Sequence, residues 1–185
     1  MIGQLPTSLK IGKEEIPIRY DMHTALLIFD AANNDELSET GKLKVMLECL
    51  YKNEIDYNDV EFLGEAIQKA IWFLNGGKIY KSSSKKVIDW QQDEQIIFSA
   101  VNKVAGKEIR NQKNLHWWTF LGYFTEVGEC LLSTIISIRQ KKNIGKKLER
   151  SEEEFYKRNR DIIDLKQKYT LDEQNIINKL NNICG

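Results

Sequence analysis

Cysteine is scarce and unpaired in this chain. Cys49, Cys130 and Cys184 lie far apart, their number is odd, and no Cys-x-x-Cys pair occurs. A disulfide framework is thereby excluded, and a reducing compartment is expected. Histidine is scarcer still. His23 and His116 stand alone, with no His-Glu-x-x-His and no Cys/His cluster. A chain without such spacings has no recognisable metal site, so no cofactor is expected. An excess of either charge is also missing: 27 Lys and Arg meet 27 Asp and Glu. That balance argues against a nucleic-acid coat protein or a polybasic membrane binder. It also leaves little charge repulsion to oppose self-association. No apolar run of about 20 residues is present, so no membrane span is expected. Met1 to Lys10 lacks the basic start and apolar stretch of a signal peptide.

What is present is ordinary globular composition. Of 185 residues, 42% are hydrophobic and 29% charged. A chain of this size can bury roughly 70% of the surface that its unfolded form exposes. The start alternates: Leu9 and Ile11, then Ile16 and Ile18, flank Gly12-Lys13, the pattern of a two-residue hairpin with Gly first. Pro17 cannot donate to a ladder, which places its strand at an edge.

The rest reads as helices. Asp21 caps Met22, Ala25, Leu26 and Phe29; Ser38 caps Leu43, Met46, Leu47 and Leu50. Asp59 opens a stripe of Val60, Leu63, Ile67, Ala70, Ile71 and Leu74 that Gly76-Gly77 ends. Lys78 to Lys86 is a basic, serine-rich linker. A fourth helix is expected from about Asp89, with Trp90, Ile97, Val101 and Val104 on one side, and a fifth from Asn114. The fifth is apolar nearly all round, as the buried centre of a bundle would be, and either breaks at Gly128 or runs on to Ile138. Ser151 with Glu154, and Thr170 with Glu173, read as capping boxes. The first opens a helix carrying Phe155, Ile162, Leu165 and Tyr169, the second a terminal helix carrying Ile176, Ile177, Leu180 and Ile183. The expected fold is therefore mainly α: a bundle of six to seven helices with a short N-terminal β-hairpin. Its parts are a hairpin over 1–20, a helical core over 21–145 and a helical extension over 146–185.

Chemistry is thin. His116 and Cys130 lie fourteen residues apart, roughly 21 Å along a continuous helix, too far for a nucleophile pair. Gly76-Gly77-Lys78 lacks the Ser or Thr that a phosphate loop places after its Lys, and a helix precedes it. No catalytic residue is assigned, and an enzyme is not expected. Arg139 to Lys168 holds eleven Lys or Arg against six Asp or Glu. Around Lys141 to Lys147 the cations either neutralise a helix end or form a nucleic-acid patch; the acidic residues at 149 and 152–154 favour the former. Trp117 and Trp118 diverge by about 100° on a helix, so one can face the core and the other a groove.

The run Leu115-His116-Trp117-Trp118-Thr119-Phe120 carries a resemblance. It is followed by Ile135-Ile136-Ser137-Ile138-Arg139-Gln140-Lys141-Lys142, then Lys146-Lys147, then Leu165 to Leu171. In this order the chain resembles the bacteriophage gene-product-fifteen family over roughly residues 5 to 171. It departs from the family pattern at Gly145, where a proline is usual, and at Val104 to Ile109. The resemblance implies a phage or prophage product of the host cell cytoplasm, a tail assembly chaperone that self-associates. The implied partners are the tape-measure protein and the tail-tube protein. It supplies no catalytic residues. Leu115, His116, Trp117, Trp118 and Phe120 are its signature and are expected in the core. Arg139, Lys141, Lys142, Ile176, Ile177 and Leu180 are the expected partner-binding positions. The terminal helix packs either on its own domain or on a partner. A nucleic-acid-binding phage factor using 139–147 is the alternative.

Overall fold

The structure, a computed structural model, describes residues 3–79 and 85–166. It opens with an antiparallel hairpin, β1 (Ser8–Ile11) and β2 (Glu14–Pro17), that pairs Leu9 with Ile16. Gly12 makes the turn at φ 58°, a conformation available to Gly without a Cβ penalty. Leu9, Ile11 and Ile16 all point inward, so the period of two is realised as one buried face. A lone hairpin is marginal in water. This one packs on helices, and Glu65 accepts the Gly12 N–H at 2.7 Å.

Eight helices follow among the described residues: α1 (Met22–Ala32), α2 (Glu39–Leu50), α3 (Val60–Leu74), α4 (Glu94–Ala105), α5 (Trp117–Thr125), α6 (Leu131–Asn143), α7 (Arg150–Arg158) and α8 (Arg160–Ile163). Asp21, Ser38 and Asp59 each accept a backbone N–H as side-chain N-caps of the first three. α1 packs on α2, α2 on α3, and α3 on β1; α4 packs on both α5 and α6. One large core joins β1 to α6. A small second cluster of Ile135, Ile138 and Ile163 joins α6 to α8, with Phe155 and Tyr156 against it. Described residues from Leu148 to Ile163 thus pack back on α6.

Several boundaries differ from the sequence reading, each for a local reason. α4 starts at Glu94, because Asp89 spends its carboxylate on Gln91 and Gln92 N–H in a preceding turn. α5 is capped by His116, not Asn114. It stops at Thr125, and Cys130 caps a separate α6. The capping box of α7 is Glu149 with Glu152, two residues before Ser151. Asn159 then ends α7, its side chain turned back onto the Phe155 carbonyl, so the expected single sixth helix is two. Within the stripes, Val60, Leu43, Ile71 and Val104 face solvent rather than the core. The terminal helix expected from Thr170 lies outside the described residues.

Candidate functional site

The signature run is where three separate parts of the chain meet. Met22 N–H donates to the Leu115 carbonyl and Trp117 N–H to the Tyr20 carbonyl, both at 2.8 Å, an antiparallel bridge between Asp21 and His116. The N-termini of α1 and α5 are thereby tied together. His116 caps α5: its Nδ1 accepts from Trp118 N–H at 3.0 Å. Its Nε2 lies 2.9 Å from the Pro6 carbonyl, an acceptor, so Nε2 carries the proton and the ring is neutral. Burial pushes its pKa below the ordinary histidine value, against the opposing pull of the Pro6 carbonyl. Tyr20 stacks on the ring at 5.2 Å. Both ring nitrogens are committed to backbone, which makes His116 a cap and a bracket for the N-terminal segment. That second job had no sequence signal, since Pro6 lies 110 residues away.

The two tryptophans close the end of α3. A helix leaves its last four carbonyls without intrahelical partners. In α3 the Ile71 carbonyl accepts from Asn75 N–H, Trp72 from Gly77 N–H and Phe73 from Gly76 N–H. The Leu74 carbonyl accepts from Trp117 Nε1–H, and Phe73 accepts again from Trp118 Nε1–H, both at 2.8 Å. Every terminal carbonyl is satisfied, two of them by the neighbouring indoles. Gly77 at φ 81° lets the Trp118 ring approach, because a Cβ there would sit 3.0 Å from its six-membered ring.

As expected from their angular separation, the two rings face differently. Trp117 is buried and stacks on Phe120 at 5.2 Å; Trp118 is half-buried and meets Trp72 edge-on. Leu115 is also half-buried, whereas Phe120 is fully enclosed. Between Trp118 and Trp90 opens an apolar cleft of about 390 Å³, lined by Phe29, Leu74, Trp117 and Leu121, with Asn75 and Lys78 at its rim. A second trough of about 360 Å³ lies across Trp72, with Ile71 and Ile79 exposed along it. All four tryptophans of the chain line or flank these two depressions. Sequence reasoning found the tryptophans but not the cleft, because Phe29 and Trp90 come from distant segments.

The expected basic surface is reorganised. Arg139 is 4% exposed and cannot be a partner-facing cation in this fold. All five of its N–H donors are used. Its fork grips Asp93 at 2.6 and 2.9 Å, and the others reach the carbonyls of Val87, Ile162 and Ile163. It joins α6 to the start of α4, to the segment before it and to α8. Asp93 was invisible as its partner from sequence, lying 46 residues away. Lys141 pairs with Glu152, and that hydrogen bond holds the Glu152 carboxyl below its usual range. Lys142 bonds Asp164 and the Tyr156 hydroxyl while lying over the Tyr156 ring at 3.9 Å. Burial opposes ionisation of Asp164, yet hydrogen bonds from Lys142 and Tyr156 bring its pKa below the ordinary value. The expected partner-facing residues Ile176, Ile177 and Leu180 lie outside the described residues.

Among the described residues no group of His, Cys, Asp and Glu could hold a metal ion. No described helix is long and apolar enough to cross a membrane. The family model described as Bacteriophage Gp15 protein matches residues 1–171. The chain belongs to this family. No curated protein and no solved structure matches it. The Gp15 match spans the bridge, the indole clamp and the Arg139 fork alike. The bundle described above is accordingly the fold of a Gp15 protein.

Proposed function

We propose that this Gp15 protein is a phage or prophage tail assembly protein without catalytic activity. In this reading it is a tail assembly chaperone that self-associates and holds the hydrophobic tape-measure protein, in the host cytoplasm, until tail-tube subunits replace it. Family membership supports the phage setting. The observation that carries the binding role is the open apolar cleft between Trp90 and Trp118, with a second apolar trough beside it. Exposed apolar depressions on a small protein are the usual mark of a protein-binding surface. A groove floored by aromatic and aliphatic side chains suits the apolar face of a client helix.

The alternative, a nucleic-acid-binding phage factor, draws on residues 139–147. It loses ground to the ion pairs of that stretch, because Arg139, Lys141 and Lys142 already have carboxylate partners. Only cations free to replace counterions add to phosphate binding. Retention on a DNA column at low salt that falls steeply with added salt would revive it.

The test is co-expression with the tape-measure product encoded by the same phage. The expected result is a client that stays soluble and co-purifies with this protein. A client equally insoluble with and without it overturns the reading.

A further inference from the structure

We propose that the apolar site around Trp118 takes an acidic amphipathic helix of a partner protein, laid across the Trp72–Trp118 pair, with its carboxylates meeting Lys69 and Lys78. The inference rests on the reading of the cleft as a protein-binding surface and names the kind of partner that fits it. Geometry comes first. The cleft of about 390 Å³ and the trough of about 360 Å³ share Asn75 and Lys78 in their walls, so they adjoin. Trp118 lies in the wall of the cleft and Trp72 in that of the trough, and their rings meet edge-on at 5.2 Å. Each socket thus has one of two touching indoles in its wall. A helix presents the side chains of one face at i, i+3, i+4 and i+7, about 5–10 Å apart along its axis. Such spacing suits neighbouring apolar sockets on either side of an aromatic ridge.

Charge then selects among apolar helices. Neither depression has a carboxylate in its described lining; the charged side chains there are Lys69 and Lys78. Lys69 stands one turn beyond Glu65 on α3, the spacing of an ordinary helix ion pair. Glu65 is used instead on the Gly12 N–H at 2.7 Å. Among the described residues, Lys69 is left without a carboxylate, and Lys78 has none either. Lys141 and Lys142, by contrast, are neutralised within the fold. Two uncompensated cations beside an open apolar groove attract acidic side chains and repel basic ones.

Charge also sets the limit of the site. On the other side of Trp90 a third depression of about 230 Å³, with Leu26 and Ile97 in its wall, carries Asp30 and Glu94. Those carboxylates repel the same partner. The helix is therefore expected to run across Trp72 and Trp118 and to stop at Trp90. A nucleic acid shares the negative charge but has no aliphatic face to match Leu74, Leu121, Ile71 and Ile79.

Intrinsic fluorescence of the full chain, titrated with three synthetic helical peptides of about 15 residues, tests this, because Trp72, Trp90 and Trp118 are half-buried around the site. The peptides lack tryptophan and share one leucine face; their flanks carry Glu, Gln or Lys. The Glu peptide should shift emission to the blue and bind about tenfold more tightly than the Lys peptide at low salt, with the Gln peptide between. Added salt should close the gap. Lys69→Glu with Lys78→Glu should reverse the order. Lys146→Glu with Lys147→Glu makes the same change of net charge on exposed residues elsewhere and should leave the order as it is. Should the first pair lose the fold by circular dichroism, Lys69→Gln with Lys78→Gln is expected to abolish the preference in a folded chain. Equal affinity for the three peptides, or a preference that the Lys69 and Lys78 changes leave intact, overturns the proposal while the cleft stands as a docking surface. A blue shift from none of the peptides, or from an oligothymidylate alone, overturns it together with the reading of the cleft. A shift that follows only the protein's own concentration does so too, since the occupant is then a second copy. No tape-measure product enters the measurement, so its outcome stands apart from the co-expression result.

Discussion

At the residue scale, His116 converts a titratable group into a structural one. Its Nδ1 must stay unprotonated to accept from Trp118 N–H. Burial lowers its folded pKa, so the unfolded chain takes up its proton first as pH falls. The sign follows. The contribution of His116 to stability is complete above its unfolded pKa, about 6.5. It is lost as pH falls from there towards the lowered folded value. Urea unfolding at a series of pH values should show a loss of stability below that point. His116→Asn, which retains a capping oxygen, should flatten this part of the profile. His116→Ala should cost about 1–2 kcal/mol at neutral pH, the usual range for losing an N-cap. An unchanged pH profile in the Asn variant would show that the cap does not titrate. The two tryptophans can be ranked in the same way. Trp118→Phe removes one of two donors to the Phe73 carbonyl, whereas Trp117→Phe removes the donor to Leu74 from a buried site. The second should cost more, about 1–3 kcal/mol for the unsatisfied carbonyl plus a packing loss. Equal midpoints in denaturant would count against the clamp.

At the element scale, Arg139 holds α6, α8 and the entry to α4 together through one guanidinium. Replacing it alone leaves the buried Asp93 carboxylate without its counter-charge, with only the Asp89 N–H still donating to it, a loss of about 3–5 kcal/mol. Arg139→Lys should not rescue, because a single ammonium cannot reproduce the five-donor fork. Both are read from equilibrium unfolding. The α7–α8 segment hangs on weaker, more exposed pairs. Glu152 and Asp164 have lowered pKa values in the fold. Their contribution is therefore present above the unfolded carboxylate value, about 4, and lost as pH falls through the folded one. Hydrogen exchange across residues 150–163 should rise in acid before that of α3 or α5. These elements also show what could be read from sequence and what could not. The hairpin, α1, α2 and α3 were legible because their caps and turns are local: Asp21, Ser38, Asp59 and Gly12 act within a few residues. The break at Asn159 and the late start of α4 were not. A carboxylate or amide that turns back on its own backbone competes with the periodic pattern, and periodicity cannot say which wins.

At the scale of the whole molecule, an apolar cleft opens where α3, α5 and the turn before α4 converge. Trp117 as a core residue was legible in sequence, whereas Trp118, expected in the core with it, is half-buried. The cleft beside them was not legible, because it depends on Phe29, Leu74 and Trp90 arriving from three other segments. The same limit misplaced Arg139: a cation in a lysine-rich run looks solvated until its partner, 46 residues away, is seen. Long-range pairing thus moved the candidate binding surface from the lysine turn to the indole cleft. Leu121 is the residue on which to test that move, since it lines the cleft while remaining half-exposed. The decisive measurement is co-purification of the tape-measure product with wild-type protein and with Leu121→Asp, at matched expression and with thermal midpoints recorded. The account expects wild type to carry the client and Leu121→Asp to lose it while keeping a folded, cooperative transition. Client retained in full by a folded Leu121→Asp protein would contradict it.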